Sequence, residues 1–276
     1  MREVAVESVY DWRRVNIDNG FAMEQKWPQE IWLVRHGQSA GNVARDEAEA
    51  AAGLLIQIAE RDVDVPLSAL GMRQSQALAG WFAALPPDQR PNVVLHSPYL
   101  RARQTAEIVM GGLDHDELLS VQVDERLREK EFGILDRLTT HGIRHKYPEL
   151  SEQRQHVGKF YFRPPGGESW CDVILRLRSV LDTLTREYCR ERVLIVAHQV
   201  IVNCFRYLFE RLDEATILAA DRAGDVPNCS VTSYQFDPSL GKRGKLALRL
   251  LNFVAPLEAT GTPVTIGKDV PTAAKA

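Results

Sequence analysis

The sequence predicts a three-layer α/β/α fold built on a mostly parallel central sheet. Its apolar runs are short and in several cases continuous, which is typical of strands that are covered on both faces. Longer segments with apolar residues at every third or fourth position separate these runs, as expected of helices that pack on a sheet. The predicted strands are residues 31–34, 92–97, 120–124, 193–198, 230–236 and 246–254.

The helices follow from the same periodicity. Residues 169–190 give the clearest pattern, because their apolar side chains recur at steps of three and four positions. The alanine- and acid-rich stretch 44–60 predicts a helix that is inserted early in the chain, and the polar segment 135–167 predicts a small helical lid insertion over the sheet. Further helices are predicted at 68–85, 98–110 and 199–210.

The chain is expected to form one compact domain with an addition at each end. Its 276 residues are enough for a sizeable hydrophobic core. We predict an N-terminal extension over residues 1–28, a domain over 29–255 and a flexible C-terminal tail over 256–276, where Thr, Gly, Pro, Lys and Ala dominate. Two alternatives stay open for the extension, which are packing against the sheet edge and a homodimer contact.

Composition excludes several classes of function. A formal net charge of -3 leaves no basic footprint for nucleic acid. No apolar run approaches the roughly 18 residues that span a bilayer, and the N-terminus lacks the apolar region of a signal peptide. The 4 cysteines have no metal-type spacing and are expected to be free buried thiols. These features predict a cytoplasmic protein with neither nucleic acid nor membrane as partner.

Residues suited to phosphate follow three of the predicted strands. Arg35 and His36 come directly after the first strand, Arg101 lies just beyond the second, and His198 ends the fourth. The carboxyl ends of parallel strands meet at one edge of a sheet, where ligands bind, and helix N-termini at the same edge favour anions. The sequence therefore predicts that two imidazoles and two guanidinium groups converge on one anion.

These residue types fit covalent phosphoryl transfer. A neutral imidazole can attack phosphorus and form a labile phosphoramidate, while arginines hold phosphate oxygens through paired hydrogen bonds. The leaving alkoxide needs a proton, so a carboxylic acid is expected opposite the nucleophile. The residues alone do not decide which carboxyl group this is. A zinc site among His141, His145 and His156 is disfavoured, because no cysteine or carboxylate accompanies them in ordered spacing.

Several ordered segments resemble the motifs of the histidine phosphatase superfamily, the phosphoglycerate mutase-like proteins. The likeness covers roughly residues 31–236 and includes the Arg-His-Gly (RHG) signature of that family, and its order and spacing are those of the family. The segments are LVRHGQSAGN (33–42), VPLSALGMRQ (65–74), SPYLRARQTAEI (97–108), LREKEFG (127–133), GGESWCDV (166–173) and VAHQVIVNC (196–204). The resemblance implies a phosphoglycerate mutase-like fold.

The resemblance also implies roles for individual residues. It makes His36 the nucleophile and Glu129, rather than the neighbouring Glu131, the general acid and base. The phosphate-binding residues that it implies are Arg35, Asn42, Arg101 and His198. No metal or other cofactor is implied. The expected activity is that of a phosphoric monoester hydrolase, similar to the histidine acid phosphatases. The alternatives are mutase-type transfer of the phosphoryl group to bound product and a non-catalytic protein that binds a phosphorylated ligand.

The stretch 146–173 looks most like the phosphatase half of the bifunctional fructose-2,6-bisphosphate enzymes. That likeness implies substrate contacts from Arg154, Lys159, Trp170 and Gln199, and Gln38 is a further expected substrate contact. A solvated, charged loop is an equal alternative for Arg154, Lys159 and Arg163. Asn203 stands where those enzymes carry an arginine, which would weaken a second phosphate by about 1.5–3 kcal/mol. The expected partner is a small phosphorylated metabolite, such as a sugar phosphate, or inorganic phosphate.

Overall fold

A six-stranded sheet forms the centre of the molecule. The computed structural model describes residues 25–113, 118 and 120–267. Each predicted strand is present, and every observed bound lies within one residue of the predicted one. The strands are β1 (Glu30–Arg35), β2 (Val93–His96), β3 (Ser120–Val123), β4 (Arg192–Ala197), β5 (Val231–Asp237) and β6 (Lys245–Phe253).

The sheet is parallel across four strands and antiparallel across the other two. Its spatial order is β3-β2-β4-β1-β5-β6. Strands β3, β2, β4 and β1 are parallel neighbours, while β5 is antiparallel to β1 and β6 is antiparallel to β5. Arg35 is paired with Ala197 in the register of β1 and β4. The residues that follow these two strands, His36 and His198, therefore emerge side by side.

Helices cover both faces of the sheet, which confirms the predicted three-layer α/β/α architecture. Ile31 and Leu33 of β1 face a cluster that contains the helices over 170–187 and 199–210. Trp32 and Val34 face the opposite cluster, which contains the helices over 69–84 and 100–110. The helices are α1 (Ala40–Ala50), α2 (Ala69–Ala84), α3 (Leu100–Met110), α4 (Thr140–Lys146), α5 (Pro148–Val157), α6 (Trp170–Glu187), α7 (Gln199–Glu210), α8 (Glu214–Ala223) and α9 (Ala255–Ala259).

The predicted lid is a small helical unit with its own apolar centre. Helices α4 and α5 pack around Leu135, Leu138, Ile143 and Phe162, which are all buried. None of these four residues belongs to the two clusters on the sheet. Because the cluster is small and separate, the unit forms an insertion beside the site rather than a further layer of the main core.

The prediction of a helix over 44–60 is wrong beyond Ala50. Helix α1 begins earlier, at Ala40, because the Ser39 side chain caps it in a capping box with Asn42. It ends before Gly53, and the chain then runs beside the lid, where the amide of Ile56 donates to the carbonyl of Arg137 at 2.8 Å. Composition favoured a longer helix, but these contacts with the lid take the backbone hydrogen bonds instead.

The two ends of the chain differ from expectation where the structure describes them. A flexible tail was predicted from Pro256, whereas 255–259 form α9, whose Leu257 is fully buried against the α2 side of the sheet. Residues 260–267 continue along the edge that carries His36. At the other end, the Trp27 ring packs edge-on against Phe209 with centroids 6.1 Å apart. Residues 1–24 and 268–276, which hold the remainder of the predicted extension and tail, lie outside the described residues.

Candidate active site

The backbone after β1 is held from several sides. The amide of His36 donates to the carbonyl of Ala197 at 3.0 Å, and the carbonyl of His36 accepts from Asn228 Nδ2 at 3.0 Å. The loop also approaches α2 closely, because a Cβ atom on Gly37 would lie 2.6 Å from the carbonyl oxygen of Gly71. Glycine is therefore required at position 37, and the His36 ring is presented by a fixed loop.

The His36 ring is a neutral imidazole with a defined tautomer. Its Nδ1 lies 2.7 Å from the carbonyl oxygen of Gly37, and a carbonyl only accepts, so Nδ1 carries the proton. Nε2 therefore holds the lone pair, to which Arg101 Nε donates at 3.3 Å. Burial, followed by the charges of Arg101 and Arg35, holds the pKa of His36 well below its usual value. The uncharged form is the one that can act as a nucleophile.

A second imidazole lies against the first. The ring centroids of His198 and His36 are 5.1 Å apart, and His198 Nε2 lies 2.7 Å from Ser97 Oγ. Its Nδ1 has no hydrogen-bond partner among the described residues and lies 3.9 Å from Glu129 Oε2. Burial, then Arg101 and His36, lower the pKa of His198 well below its usual value. Both rings are thus uncharged at neutral pH.

Two buried arginines flank the rings. Arg35 is 3% exposed and Arg101 is 5% exposed. Arg35 Nη2 donates to the carbonyl of Gly267 at 2.9 Å, and its Nη1 donates to the carbonyl of Val226. Arg101 Nη1 donates to Asp62 Oδ1 at 3.0 Å. Sequence reasoning missed Asp62, since it lies in a polar loop without a motif of its own.

The structure separates the two carboxyl groups of the Glu-Lys-Glu segment. Glu129 is 8% exposed, and its Oε1 accepts from the amide of Lys130 at 2.8 Å. The Glu131 side chain is 47% exposed and lies 3.7 Å from Arg128 Nε. Glu129 borders the pocket at His36 and Glu131 does not. The geometry therefore brings Glu129, and not Glu131, to the pocket; its role as proton donor and acceptor stays a prediction.

A pocket of about 80 Å³ opens beside the His36 ring. Asn42 reaches it from α1, where its Oδ1 accepts from the amide of Ser39 at 3.0 Å. The Asn42 amide nitrogen lies on the side of Gly267, where a Cβ atom would be 2.5 Å from it. The lining residues are Arg35, His36, Ser39, Gly41, Asn42, Arg45, Ile56, Ile58, Glu60, Asp62, Val65, Arg101, Glu129, Phe132, Asp136 and Arg137. His198 does not line this pocket; its ring lies against that of His36, with centroids 5.1 Å apart, and its contact with phosphate stays a prediction.

The residues predicted to contact the rest of the substrate lie outside this small pocket. Gln38 accepts from Ser68 Oγ at 2.7 Å through its side chain, so it faces α2. Trp170 is 1% exposed and belongs to the core. Arg154, on α5, is buried as well. Their predicted substrate contacts stay predictions.

Lys159 and Gln199 are each held by an acidic side chain. Lys159 Nζ lies 2.7 Å from Asp221 Oδ2, and Gln199 Nε2 donates to Asp225 Oδ1 at 2.8 Å. Asp221 is itself 5% exposed. The lid cation therefore already has a buried counter-ion, which the sequence did not indicate.

Other sites are not evident in the part of the chain that the structure describes. Its His, Cys, Asp and Glu side chains nowhere gather in threes as ligands of a metal ion would. Burial raises the pKa of the Cys229 thiol to about 12, so this thiol is neutral. Across the same residues, every helix is too short or too polar to cross a bilayer.

The two lowered pKa values lead to a direct prediction. At about pH 6, where ordinary histidines are mostly charged, both His36 and His198 are expected to stay neutral, and the His36 proton is expected on Nδ1. Histidine nitrogen NMR of the native protein, with the denatured chain as the reference, measures this. Protonation of His36 at the pH at which the denatured chain titrates would contradict the prediction.

The fold and the site together define a class of protein. An uncharged imidazole, a second imidazole and two buried arginines meet at the carboxyl edge of a parallel sheet, an arrangement suited to a tetrahedral oxyanion. A family model described as the histidine phosphatase superfamily (branch 1) matches residues 31–246. The chain belongs to this superfamily. Its named relatives are phosphatases and phosphoglycerate mutase-like proteins.

Individual relatives differ in length and name. A 6-phosphofructo-2-kinase/fructose-2,6-bisphosphatase of Caenorhabditis elegans is 33% identical over 186 residues, which are 67% of this chain and 35% of the relative. The chain thus spans about a third of that bifunctional relative. A probable phosphoglycerate mutase of Yersinia enterocolitica, GpmB, is 28% identical over 216 residues, covering 76% of this chain and 86% of the relative.

Solved structures share the fold. A mycobacterial glucosyl-3-phosphoglycerate phosphatase in complex with inorganic phosphate superposes with a TM-score of 0.61 at 24% identity, over 83% of this chain and 99% of that one. At this level of identity the match supports the fold alone. It confirms that the chain has the phosphoglycerate mutase-like architecture.

Proposed function

We propose that this chain is a metal-independent phosphatase that hydrolyses a small phosphomonoester through a phosphohistidine on His36. The observation that carries the proposal is the neutral His36 ring, whose Nε2 lone pair points at Arg101 beside the small pocket. Buried arginines supply the positive charge that a phosphoryl transition state requires. A carboxyl group at the same pocket, from Glu129, supplies the proton.

The first step transfers the phosphoryl group to the histidine. When substrate binds, a phosphate oxygen replaces His36 Nε2 as the acceptor for Arg101, and this exchange releases the lone pair. Nε2 then forms a bond to phosphorus while the ester P–O bond breaks. Glu129 gives its proton to the leaving alkoxide and becomes a carboxylate.

The second step returns the enzyme to its starting state. The Glu129 carboxylate takes a proton from a water molecule as the water oxygen attacks phosphorus. The N–P bond breaks, inorganic phosphate leaves, and His36 is again a neutral imidazole with its proton on Nδ1. No net proton or charge stays on the protein, so the cycle closes.

Features of α7 and α8 support an uncharged, hydroxyl-bearing leaving group. Gln199, one residue after His198, has an unpaired Oε1, Asn203 has an unpaired Nδ2, and Asp221 has an unpaired Oδ1, all buried and without a partner among the described residues. Hydroxyl groups both donate and accept, so they can satisfy atoms of both kinds. Lys159, which could otherwise hold a second phosphate, is already neutralised by Asp221. These atoms lie outside the pocket beside His36, and we infer that the leaving group extends from that pocket toward them. A sugar monophosphate fits these features better than a bisphosphate.

Replacement of Asp221 tests this preference. Asp221→Asn is expected to free Lys159 and to raise the ratio of kcat/KM for fructose 2,6-bisphosphate to that for a hexose monophosphate by about tenfold, the effect of one charged hydrogen bond. Asp182→Asn, which removes an exposed acid of α6, is the matched control. An unchanged ratio in Asp221→Asn would show that Asp221 does not set the charge of the leaving-group site.

The proposed activity is tested with a substrate panel at neutral pH in the presence of a chelator. We expect phosphate release from small phosphomonoesters, with hexose phosphates among the best. A parallel incubation with 3-phosphoglycerate and 2,3-bisphosphoglycerate, assayed for 2-phosphoglycerate, detects mutase-type transfer. Turnover of phosphoproteins or nucleotides without turnover of any sugar phosphate would refute the substrate class, and loss of activity with the chelator would refute metal independence.

A further inference from the structure

The chain segment 263–267 runs along the loop that carries His36. The backbone amide of Asn228 donates to the backbone carbonyl of Thr265 at 2.9 Å, and Thr265 Oγ1 donates to the side-chain Oδ1 of Asn228 at 3.0 Å. Gln74 Nε2 donates both to the carbonyl of Pro263 and to Thr265 Oγ1, each at 2.9 Å. The Thr265 hydroxyl therefore bridges two side-chain amides that lie on different elements.

The side-chain amides of Gln74 and Asn228 both form hydrogen bonds with the backbone of the loop that carries His36. Gln74 Oε1 accepts from the amide of Gln38 at 2.9 Å, and Asn228 Nδ2 donates to the carbonyl of His36 at 3.0 Å. Gln74 and Asn228 are each 0% exposed, so water cannot replace a lost partner without rearrangement. Because Thr265 accepts from one amide and donates to the other, its hydroxyl sets which way each amide faces.

The end of the segment reaches the phosphate-binding side of the site. The carbonyl of Gly267 accepts from Arg35 Nη2 at 2.9 Å. A Cβ atom on Gly267 would lie 2.5 Å from Asn42 Nδ2 and 3.1 Å from Arg35 Nη2. Gly267 therefore packs directly on two of the residues for which the family resemblance implies phosphate binding.

Hydrophobic packing does not explain this course of the chain. Val264 is 38% exposed and Ile266 is 53% exposed, whereas Gly267 is buried and Thr265 is half-buried. The segment thus turns its apolar side chains outward and its polar contacts inward. Its described contacts with the site are the hydrogen bonds to Gln74, Asn228 and Arg35 and the packing of Gly267 on Asn42.

We propose that segment 263–267 is part of the active site, with Thr265 as a positioning residue for the His36 loop and Gly267 as a positioning residue for Arg35. Thr265 acts through Gln74 and Asn228, and it keeps His36 Nε2 in line with the phosphorus atom. The Gly267 carbonyl orients the Arg35 guanidinium toward the phosphate. This inference rests on the proposed role of His36 and adds the elements that hold it in place.

The Thr265 arm is tested by kinetics. Thr265→Val, which keeps the shape but removes the hydroxyl, is expected to lower kcat at least tenfold with little change in KM, because small misplacements of a reacting group slow chemistry strongly. Thr265→Ser keeps the hydroxyl and is expected to restore kcat to within about twofold. Thr262→Val is the matched control, since the Thr262 hydroxyl contacts only Thr260 among side chains of the described residues.

The Gly267 arm is expected to change binding instead. Gly267→Ala places a methyl group against Asn42 and Arg35, so KM and the inhibition constant of inorganic phosphate are expected to rise about tenfold or more while kcat changes less. Gly80→Ala is its control, because a Cβ at Gly80 meets no atom within 4 Å. We therefore expect Thr265→Val to change mainly kcat and Gly267→Ala to change mainly KM. A purely structural role would not produce this difference between the two variants.

Failure of this inference can be told apart from failure of the proposed function. If Thr265→Val keeps the kcat of the unaltered protein while His36→Ala is inactive, the positioning role is wrong and the nucleophile stands. If His36→Ala keeps full activity, the proposed function fails whatever the Thr265 variants do. A further outcome would also overturn the positioning role. In it, Thr265→Val and Thr265→Ser both lose kcat, and the melting temperature falls by the same amount in both variants.

Discussion

Replacement of His36 with alanine is expected to lower kcat for any phosphomonoester substrate by about 10⁴-fold or more, as deletion of a covalent nucleophile does. Without the ring, no N–P bond forms, and water would have to attack the ester directly in a site that is not arranged for it. Arg35, Arg101 and His198 remain, so binding of inorganic phosphate is expected to survive. Steady-state phosphate release and equilibrium phosphate binding measure the two effects separately.

The control for this variant is His145→Ala, which removes an exposed histidine of α4 and is expected to leave kcat unchanged. Melting temperatures of both variants show whether the fold is kept. A His36→Ala protein that stays folded and retains more than a tenth of its activity would contradict the covalent mechanism.

Glu129→Gln is expected to produce a dependence on the leaving group. For alkyl phosphomonoesters the variant should lower kcat by about 10²–10⁴-fold, the usual contribution of general acid catalysis. With 4-nitrophenyl phosphate the leaving group needs no proton, so the phosphoenzyme still forms. Because water is then not activated, we expect a burst of one nitrophenolate per active site followed by slow turnover.

Glu131→Gln provides the matched control, as it makes the same change two residues away at an exposed side chain. It is expected to show neither the burst nor the loss with alkyl substrates. If both variants slow alkyl and aryl substrates equally, and neither shows a burst, Glu129 is not the proton donor and acceptor.

The sheet and the residues at its edge could be predicted because their signals are local. Each strand is a short apolar run, and His36 and His198 stand immediately after two such runs. Parallel strands bring their carboxyl ends to one edge, so adjacency in space follows from topology alone. The register of β1 against β4 places the two histidines side by side for this reason.

The contacts that hold the site could not be predicted, since they join distant parts of the sequence without any periodic pattern. Asp62 pairs with Arg101 across 39 residues, Gln74 reaches Thr265 across 191, and Arg35 reaches Gly267 across 232. The tail composition suggested flexibility, but hydrogen bonds to buried amides, which composition does not encode, determine its course.

The lid shows a different limit of sequence reasoning. Resemblance to bisphosphatases placed Lys159 at the substrate, yet the acid that neutralises it, Asp221, lies 62 residues further along the chain. The ammonium group of Lys159 lies 5.2 Å from the ring centroid of Trp170. The Trp170 ring itself packs into the core. The net charge at a site depends on the counter-ion as well as on the charged residue that matches the family. Only the structure shows that Asp221 lies beside Lys159.

The most direct test of this account is the phosphoenzyme itself. Rapid quenching of the protein after mixing with radiolabelled substrate should trap one phosphoryl group per active site in an acid-labile, base-stable form, with a larger fraction trapped in Glu129→Gln. Peptide mapping should place the label on His36. Label on any other residue, or substrate turnover without a trapped label in either protein, would contradict the covalent phosphohistidine mechanism.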